Sequence, residues 1–131
     1  MDKKLILIVE DDTDVFMPML KAIIPKYRAQ YDVLVCIDGL EALEFLRSKN
    51  VDLMILDLDM GNLNGLQVCQ QMAAIKMLRP PEVIISSGYL DDSMIEQLKT
   101  LGVRHFLRKP YSMESLLQKV NELLASPVTQ K

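Results

Sequence analysis

Five short apolar runs recur along the chain, separated by longer amphipathic segments. Such runs suit strands that are buried on both faces of a parallel sheet. They are LILIV (5–9), VLV (33–35), LMIL (53–56), VII (83–85) and HFL (105–107). The intervening segments carry apolar residues three and four positions apart, which predicts helices at 14–30, 39–48, 65–77, 92–101 and 113–125. Pro25 should kink or end the first helix, and Pro127 should follow the last.

This alternation predicts an α/β fold with a single domain. Five strand–helix units give a five-stranded parallel sheet, doubly wound by helices on both faces, with the flavodoxin-like strand order 2-1-3-4-5. The domain should cover residues 1–125. Residues 126–131 should form a tail or the start of a linker.

Composition and charge exclude several classes of function. The chain has 131 residues, half of them apolar, which fits one domain with a single core. Its formal net charge of −3 gives no general attraction to nucleic acid or anionic lipid, so we expect no direct binding to either. The longest apolar run, LILIV, is far too short to span a membrane, and the N-terminus does not resemble a signal peptide. These features predict a soluble, cytoplasmic domain.

Polar side chains gather where four of the five predicted strands end. The carboxyl ends of parallel strands lie at one edge of a sheet, so these side chains should meet there. They are Glu10, Asp11 and Asp12 after the first strand, Asp57 after the third, Ser86 and Ser87 after the fourth, and Lys109 after the fifth. Asp12 is most simply the N-cap of the first helix, and Ser86 a structural neighbour of Ser87.

The chemistry of this group favours phosphoryl transfer. Several carboxylates held together repel one another unless a cation neutralises them. Hard oxygen ligands with open water positions suit Mg²⁺, which also binds phosphate oxygens. One carboxylate can then act as a nucleophile and form an acyl phosphate, while a hydroxyl and an ammonium group bind the phosphoryl oxygens. The set is complete for phosphoryl transfer to an aspartate.

In this order, the motifs resemble those of response-regulator receiver domains in two-component signalling, over roughly residues 3–125. They are VEDD at 9–12, Asp57 in LDLDMGNLNG, Ser87 in IISSG and Lys109 in RKP. The resemblance implies that Asp57 accepts a phosphoryl group from a histidine kinase or a histidine phosphotransfer protein. It also implies a site for Mg²⁺ (or Mn²⁺), formed by Asp11 directly, Glu10 through water, Asp57, and the backbone carbonyl of Asp59.

The same resemblance assigns a switch. Ser87 and Lys109 would bind the phosphoryl oxygens, and the Lys109–Pro110 peptide would be cis. Ser87 and Phe106 would change position on phosphorylation, which would alter the surface at residues 91–125 for a downstream partner or for a homodimer. Asp59 and Tyr89 would tune dephosphorylation. On this interpretation the chain is not an independent multiple-turnover enzyme.

The sequence departs from the usual receiver pattern at three places. Gly61 stands where the family usually has proline, and Asn64 where aspartate often precedes the glycine. Ser87 replaces the commoner threonine. The first two changes should make the loop after the third strand more pliable, and none removes an atom that the chemistry needs.

Two other functions compete with the receiver interpretation. Asp57 and Asp59 form a DxD motif that resembles the nucleophile and general acid–base of haloacid-dehalogenase-like phosphatases. That family places the motif on its first strand and needs an acidic metal motif after the lysine, where this chain has only Glu114 and Glu122, both in the last helix. A non-phosphorylated interaction module on the same fold is the second alternative, and it predicts the loss of an acid, the acceptor or the lysine.

Overall fold

Strands and helices alternate along the whole described chain. The structure is a computed structural model that describes residues 3–61, 63–77 and 79–129, with side chains described as far as Leu124. The elements are β1 (Lys4–Val9), α1 (Thr13–Tyr27), β2 (Tyr31–Cys36), α2 (Gly39–Ser48), β3 (Leu53–Asp57), α3 (Gly65–Met72), β4 (Glu82–Ser87), α4 (Asp92–Thr100), β5 (His105–Arg108) and α5 (Met113–Thr129). The strands form one parallel sheet in the order β2-β1-β3-β4-β5, which confirms the predicted fold class.

Two apolar clusters cover the two faces of the sheet. Side chains alternate along β1, so that Leu5, Leu7 and Val9 enter one cluster while Ile6 and Ile8 enter the other. The first cluster, called here the α2–α4 core, also contains side chains from α2, α3 and α4. The second, the α1–α5 core, contains side chains from α1 and α5. A sheet buried on both sides explains why the central strands are apolar at every position.

The edge strand β2 does not follow the predicted pattern. Asp32 and Leu34 are exposed, while Val33 and Val35 are only partly buried. The prediction that every apolar run is buried on both faces is therefore wrong for this strand. As the outermost strand of the sheet, β2 has a neighbour on one side only.

Two helices end earlier than their apolar spacing predicts. α1 ends at Tyr27, three residues before the predicted end at residue 30. The helix does not end at Pro25, because an exposed proline in the last turn removes only one backbone hydrogen bond. α3 ends at Met72, five residues before the predicted end at residue 77. There the N–H groups of Ala74 and Ile75 donate to carbonyls three residues earlier, at 3.1 and 3.0 Å, which gives a tighter turn than an α-helix.

The last helix is longer than predicted. α5 continues to Thr129, four residues past the predicted end at residue 125. That residues 126–131 form a tail or the start of a linker stays a prediction. Proline has a φ angle that suits a helix, so Pro127 removes a backbone donor without requiring the helix to end before it. Among the residues that the structure describes, no helix is both long and apolar enough to cross a membrane.

Short polar caps fix where the helices start beside the sheet. Asp12 accepts a hydrogen bond from the backbone N–H of Asp14 at 2.9 Å, which confirms it as the N-cap of α1. Asn64 and Gln67 form a reciprocal capping box at the start of α3. These caps hold the strand-to-helix loops, and those loops carry the polar residues at the carboxyl edge of the sheet.

Gly65 lets α3 approach the end of β3 closely. A Cβ atom at this position would lie 2.6 Å from the carbonyl oxygen of Asp57 and 2.9 Å from the Cα of Leu58. The backbone N–H of Gly65 also donates to the carbonyl of Leu58 at 3.2 Å. The absence of a side chain at Gly65 therefore allows α3 to pack closely against the end of β3, beside Asp57.

We predict that Gly65→Ala destabilises the protein by about 1–3 kcal/mol, because the added methyl group meets backbone that cannot move aside freely. Urea unfolding would measure the change. Gly61→Ala is the matched control, since nothing lies within 4 Å of a Cβ built at Gly61. Equal stability of the two variants would contradict the close-approach argument.

Candidate functional site

The carboxyl edge of the sheet brings the predicted polar residues together. Asp57 is the last residue of β3 and Ser87 the last of β4. Glu10 and Asp11 directly follow β1, and Lys109 directly follows β5. Glu10 and Lys109 are 99 residues apart in the sequence, yet their side chains are hydrogen-bonded.

An ammonium group lies between two buried carboxylates. The Nζ atom of Lys109 is 3.1 Å from Oε1 of Glu10 and 3.3 Å from Oδ1 of Asp57. Glu10 is 1% exposed and Asp57 is 2% exposed. Both contacts are charge-assisted, and charges this deeply buried are stable only when they are paired.

Lysine pairing does not fully offset the burial of the two acids. Burial, followed by the charge of Asp57, raises the pKa of Glu10 to about 7 although Lys109 acts in the opposite direction. Burial also raises the pKa of Asp57, against the hydrogen bond from the Asp59 N–H and the charge of Lys109. For Lys109, burial lowers the pKa, but the hydrogen bond to Glu10 and the charge of Asp57 outweigh it and leave the pKa raised. Burial therefore disfavours the ionised forms of Glu10 and Asp57 even with the lysine beside them.

A third carboxylate makes the site suitable for a divalent cation. Glu10, Asp11 and Asp57 each offer one carboxylate oxygen, and these oxygens lie within 4.8 Å of one another. Asp11 is exposed, so this side of the group is open to water and to a ligand. Hard oxygen donors, uncompensated negative charge and an open side are what Mg²⁺ requires.

The two aspartates of the DxD motif have different environments. Asp57 is buried, and its Oδ1 atom accepts a hydrogen bond from the backbone N–H of Asp59 at 3.2 Å. Asp59 is exposed, and its carboxylate is outside the group of three that could share a metal ion. Its Oδ2 atom instead lies 3.4 Å from the hydroxyl of Ser87. Participation of the Asp59 backbone carbonyl in metal binding stays a prediction.

Ser87 is buried and its hydroxyl is turned toward the following loop. It donates to the carbonyl of Tyr89 at 2.9 Å and accepts from the N–H of Tyr89 at 3.1 Å. A hydroxyl has one hydrogen, so it cannot donate to Tyr89 and Asp59 at the same time. To bind a new acceptor beside Asp57, the hydroxyl of Ser87 must give up its bond to the Tyr89 carbonyl. The Tyr89 side chain itself is 70% exposed.

Two further features belong to β5 and the loop that follows it. The Lys109–Pro110 peptide is cis, as predicted. Phe106 is partly buried and packs against the α2–α4 core, on the side of the sheet that carries α4. Its role as a switch stays a prediction.

One interaction beside the site was not predicted from the sequence. The hydroxyls of Ser86 and Tyr111 are 2.7 Å apart and share a hydrogen bond. Ser86 is buried, as expected of a neighbour of Ser87. Tyr111 belongs to none of the motifs that the sequence offers. Its position two residues after Lys109 was the available signal, because that spacing keeps it close to the lysine.

Comparisons with known proteins agree on one family. The model of the response regulator receiver domain family matches residues 6–121. Response regulator MprA of Mycobacterium ulcerans (strain Agy99) is 33% identical over 121 residues, which are 91% of this chain and 49% of that protein. MprA of Mycobacterium avium (strain 104) is 32% identical over 121 residues, 91% of this chain and 50% of that protein. The chain thus spans about half the length of these curated relatives.

Solved structures show the same fold. A CheY-like response regulator receiver domain protein from Methanospirillum hungatei JF-1 has a TM-score of 0.84 and 22% identity, covering 99% of this chain and 100% of that one. The phosphorylated cyanobacterial phytochrome response regulator RcpA has a TM-score of 0.80 and 22% identity, covering 99% of this chain and 97% of that one. At this identity the likeness concerns the fold alone.

We predict that Mg²⁺ raises the midpoint of thermal unfolding at pH 8. This pH lies above the raised pKa of Glu10, so the carboxylate is ionised. A concentration about ten times the dissociation constant should add about 1.4 kcal/mol of stability, or about 3–6 °C in a domain of this size. Asp11→Asn should remove most of this gain.

Asp12→Asn is the matched control, because asparagine caps a helix as well as aspartate does and Asp12 lies outside the group of three carboxylates. An equal gain from Mg²⁺ in Asp11→Asn would show that the ion binds elsewhere.

Proposed function

The chain belongs to the response regulator receiver domain family of two-component signalling, and we propose that it acts as a switch that is phosphorylated on Asp57. The observation that carries the proposal is the buried Asp57 carboxylate, held 3.3 Å from the Lys109 ammonium and within reach of Glu10 and Asp11. This arrangement supplies a nucleophile, a positive group for the phosphoryl oxygens and donors for a metal ion.

In the proposed reaction, a carboxylate oxygen of Asp57 attacks the phosphorus of a phosphohistidine. A P–O bond forms as the P–N bond breaks, and the leaving nitrogen takes up a proton, so that the donor becomes neutral histidine and Asp57 becomes an acyl phosphate. Glu10, Asp11 and Asp57, with the Asp59 carbonyl, are the groups that would hold Mg²⁺ or Mn²⁺, whose charge when bound would neutralise the phosphoryl oxygens.

Lys109 and Ser87 respond to the new phosphoryl group. Lys109 already lies against Asp57, so its ammonium needs only a small movement to pair with a phosphoryl oxygen. Ser87 must exchange its bond to the Tyr89 carbonyl for a bond to another phosphoryl oxygen. The added charge and acceptor oxygens of the phosphoryl group favour both changes.

The change at Ser87 is how the signal would leave the site. When its hydroxyl releases Tyr89, the loop at residues 88–91 is free to shift, and Phe106 turns inward from its partly buried position. The surface formed by α4, β5 and α5, roughly residues 91–125, then changes its affinity for a downstream partner or a second copy of the chain. Asp59 and Tyr89 flank the phosphoryl group and would tune how readily water removes it.

The expected phosphodonor is a histidine kinase or a histidine phosphotransfer protein, and the chain is expected to act in the cytoplasm. In this role the chain assists its own phosphorylation and dephosphorylation but does not turn over an independent substrate. A net charge of −3 does not favour direct contact with nucleic acid by this domain.

We predict that incubation with Mg²⁺ and acetyl phosphate adds one phosphoryl group, measured by intact mass. Asp57→Asn should abolish the addition because the nucleophile is lost, and chelation of the metal should slow it strongly. Asp59→Asn is the matched control and should still be phosphorylated, since Asp59 meets the site through its backbone and its contact with Ser87.

Rapid turnover of acetyl phosphate without an adduct, lost in Asp59→Asn, would contradict the proposal and support the phosphatase alternative. No adduct and no turnover would support a non-phosphorylated interaction module.

We predict that phosphorylation shifts the backbone amide resonances of α4 and β5, because Ser87 and Phe106 connect the site to that face. The resonances of residues 45–48, at the end of α2, should stay in place. Asp57→Asn treated in the same way is the control and should show no shift. Unchanged resonances on the α4–β5 face of the phosphorylated protein would exclude this output surface.

A further inference from the structure

The hydroxyls of Ser86 and Tyr111 form a partly buried hydrogen bond that the proposed reaction does not use. They lie 2.7 Å apart, and Ser86 is 1% exposed. The half-buried Tyr111 ring packs against the edge of the α1–α5 core, and the hydrogen bond fixes its hydroxyl to β4. Removing the Tyr111 hydroxyl would leave the buried Ser86 hydroxyl without this partner, which carries a cost in free energy.

Ser86 is the sideways neighbour of the phosphorylation site. In the ladder between β3 and β4, Asp57 is the register partner of Ser86. Side chains alternate along both strands, and Ile55 and Ile84 belong to the α1–α5 core, so Asp57 and Ser86 point to that same face. The hydroxyl pair therefore lies on the face of the sheet that holds the acceptor carboxylate.

Two bonds attach the segment around Lys109 to consecutive residues of β4. The backbone N–H of Lys109 donates to the carbonyl of Ser87 at 2.7 Å. Two residues later, the Tyr111 hydroxyl bonds to Ser86. The side chain that reaches Asp57 thus leaves the backbone between two attachment points on the strand beside Asp57.

We propose that Tyr111, through its hydrogen bond to Ser86, is a positioning residue that holds the Lys109 ammonium in place for phosphoryl transfer to Asp57. This inference rests on the proposed function. The backbone bond at Lys109 fixes only one end of the segment, and the Tyr111 hydroxyl fixes the other. Without it, Lys109 keeps its charge but samples more positions, and a misplaced group stabilises the transferring phosphoryl less well.

The test measures the rate of phosphorylation of the full chain by acetyl phosphate with saturating Mg²⁺. Tyr111→Phe keeps the ring and its packing and removes only the hydroxyl. The rate constant at saturating donor should fall about three- to tenfold, while the half-saturating donor concentration changes by less than about twofold. Ser86→Ala should give the same loss, and the double variant should lose no more than either single variant.

Tyr27→Phe is the matched control. Tyr27 packs in the same α1–α5 core, and its buried hydroxyl has no hydrogen-bond partner among the residues that the structure describes. Removing that hydroxyl should leave the rate unchanged. Loss of rate in Tyr27→Phe as large as in Tyr111→Phe would overturn the inference.

A second background separates positioning of Lys109 from a general structural effect. The Lys109→Ala variant should be phosphorylated slowly, and adding Tyr111→Phe to it should cause no further loss, because the residue that Tyr111 positions is gone. An equal further loss in that background would overturn the inference.

If the wild-type chain is phosphorylated and Tyr111→Phe is phosphorylated at the same rate, the inference fails while the proposed function stands. If the wild-type chain is not phosphorylated at all, both fail.

Discussion

The burial of two carboxylates against one ammonium group governs this site. Glu10 and Asp57 are almost completely buried, and Lys109 contacts both. The pKa values of both acids are raised by burial in spite of the lysine. Ionised carboxylates are unfavourable in such a buried site, and a divalent cation on the open side at Asp11 would stabilise their charge. The same positive charges would then attract a phosphoryl group to an otherwise acidic pocket.

The parallel sheet brings these charged groups together and holds them there. Every strand delivers its last residues to the same edge, so groups 52 and 99 residues apart in the sequence are brought within hydrogen-bonding distance. Apolar clusters on both faces hold the strands, and a capped helix follows closely after most of them. The strands therefore fix the site, and in the proposed switch the change is an exchange of the hydrogen bond between Ser87 and the Tyr89 carbonyl.

Much of the fold and the site was predictable because both depend on local patterns. Apolar runs located all five strands, and the polar residues after them identified Glu10, Asp11, Asp57, Ser87 and Lys109. The ends of α1, α3 and α5 were not predictable, because apolar spacing does not register a proline that a helix can tolerate or a final turn that tightens. The exposure of β2 follows from its place at the edge of the sheet, which the predicted strand order already contained but the rule of burial on both faces ignored. The Ser86–Tyr111 bond depends on two side chains meeting across 25 residues of sequence, and no spacing rule encodes it.

The central claim is that the phosphoryl group is carried by Asp57 and by no other carboxylate of the acidic edge. Chemical mapping tests this most directly: the protein is treated with phosphodonor and Mg²⁺, the acyl phosphate is reduced with borohydride, and the peptides are analysed by mass spectrometry. Reduction converts a phosphorylated aspartate to homoserine. The account predicts homoserine at position 57 alone. Homoserine at position 11 or 59, or at no position in a protein that consumes the donor, would contradict it.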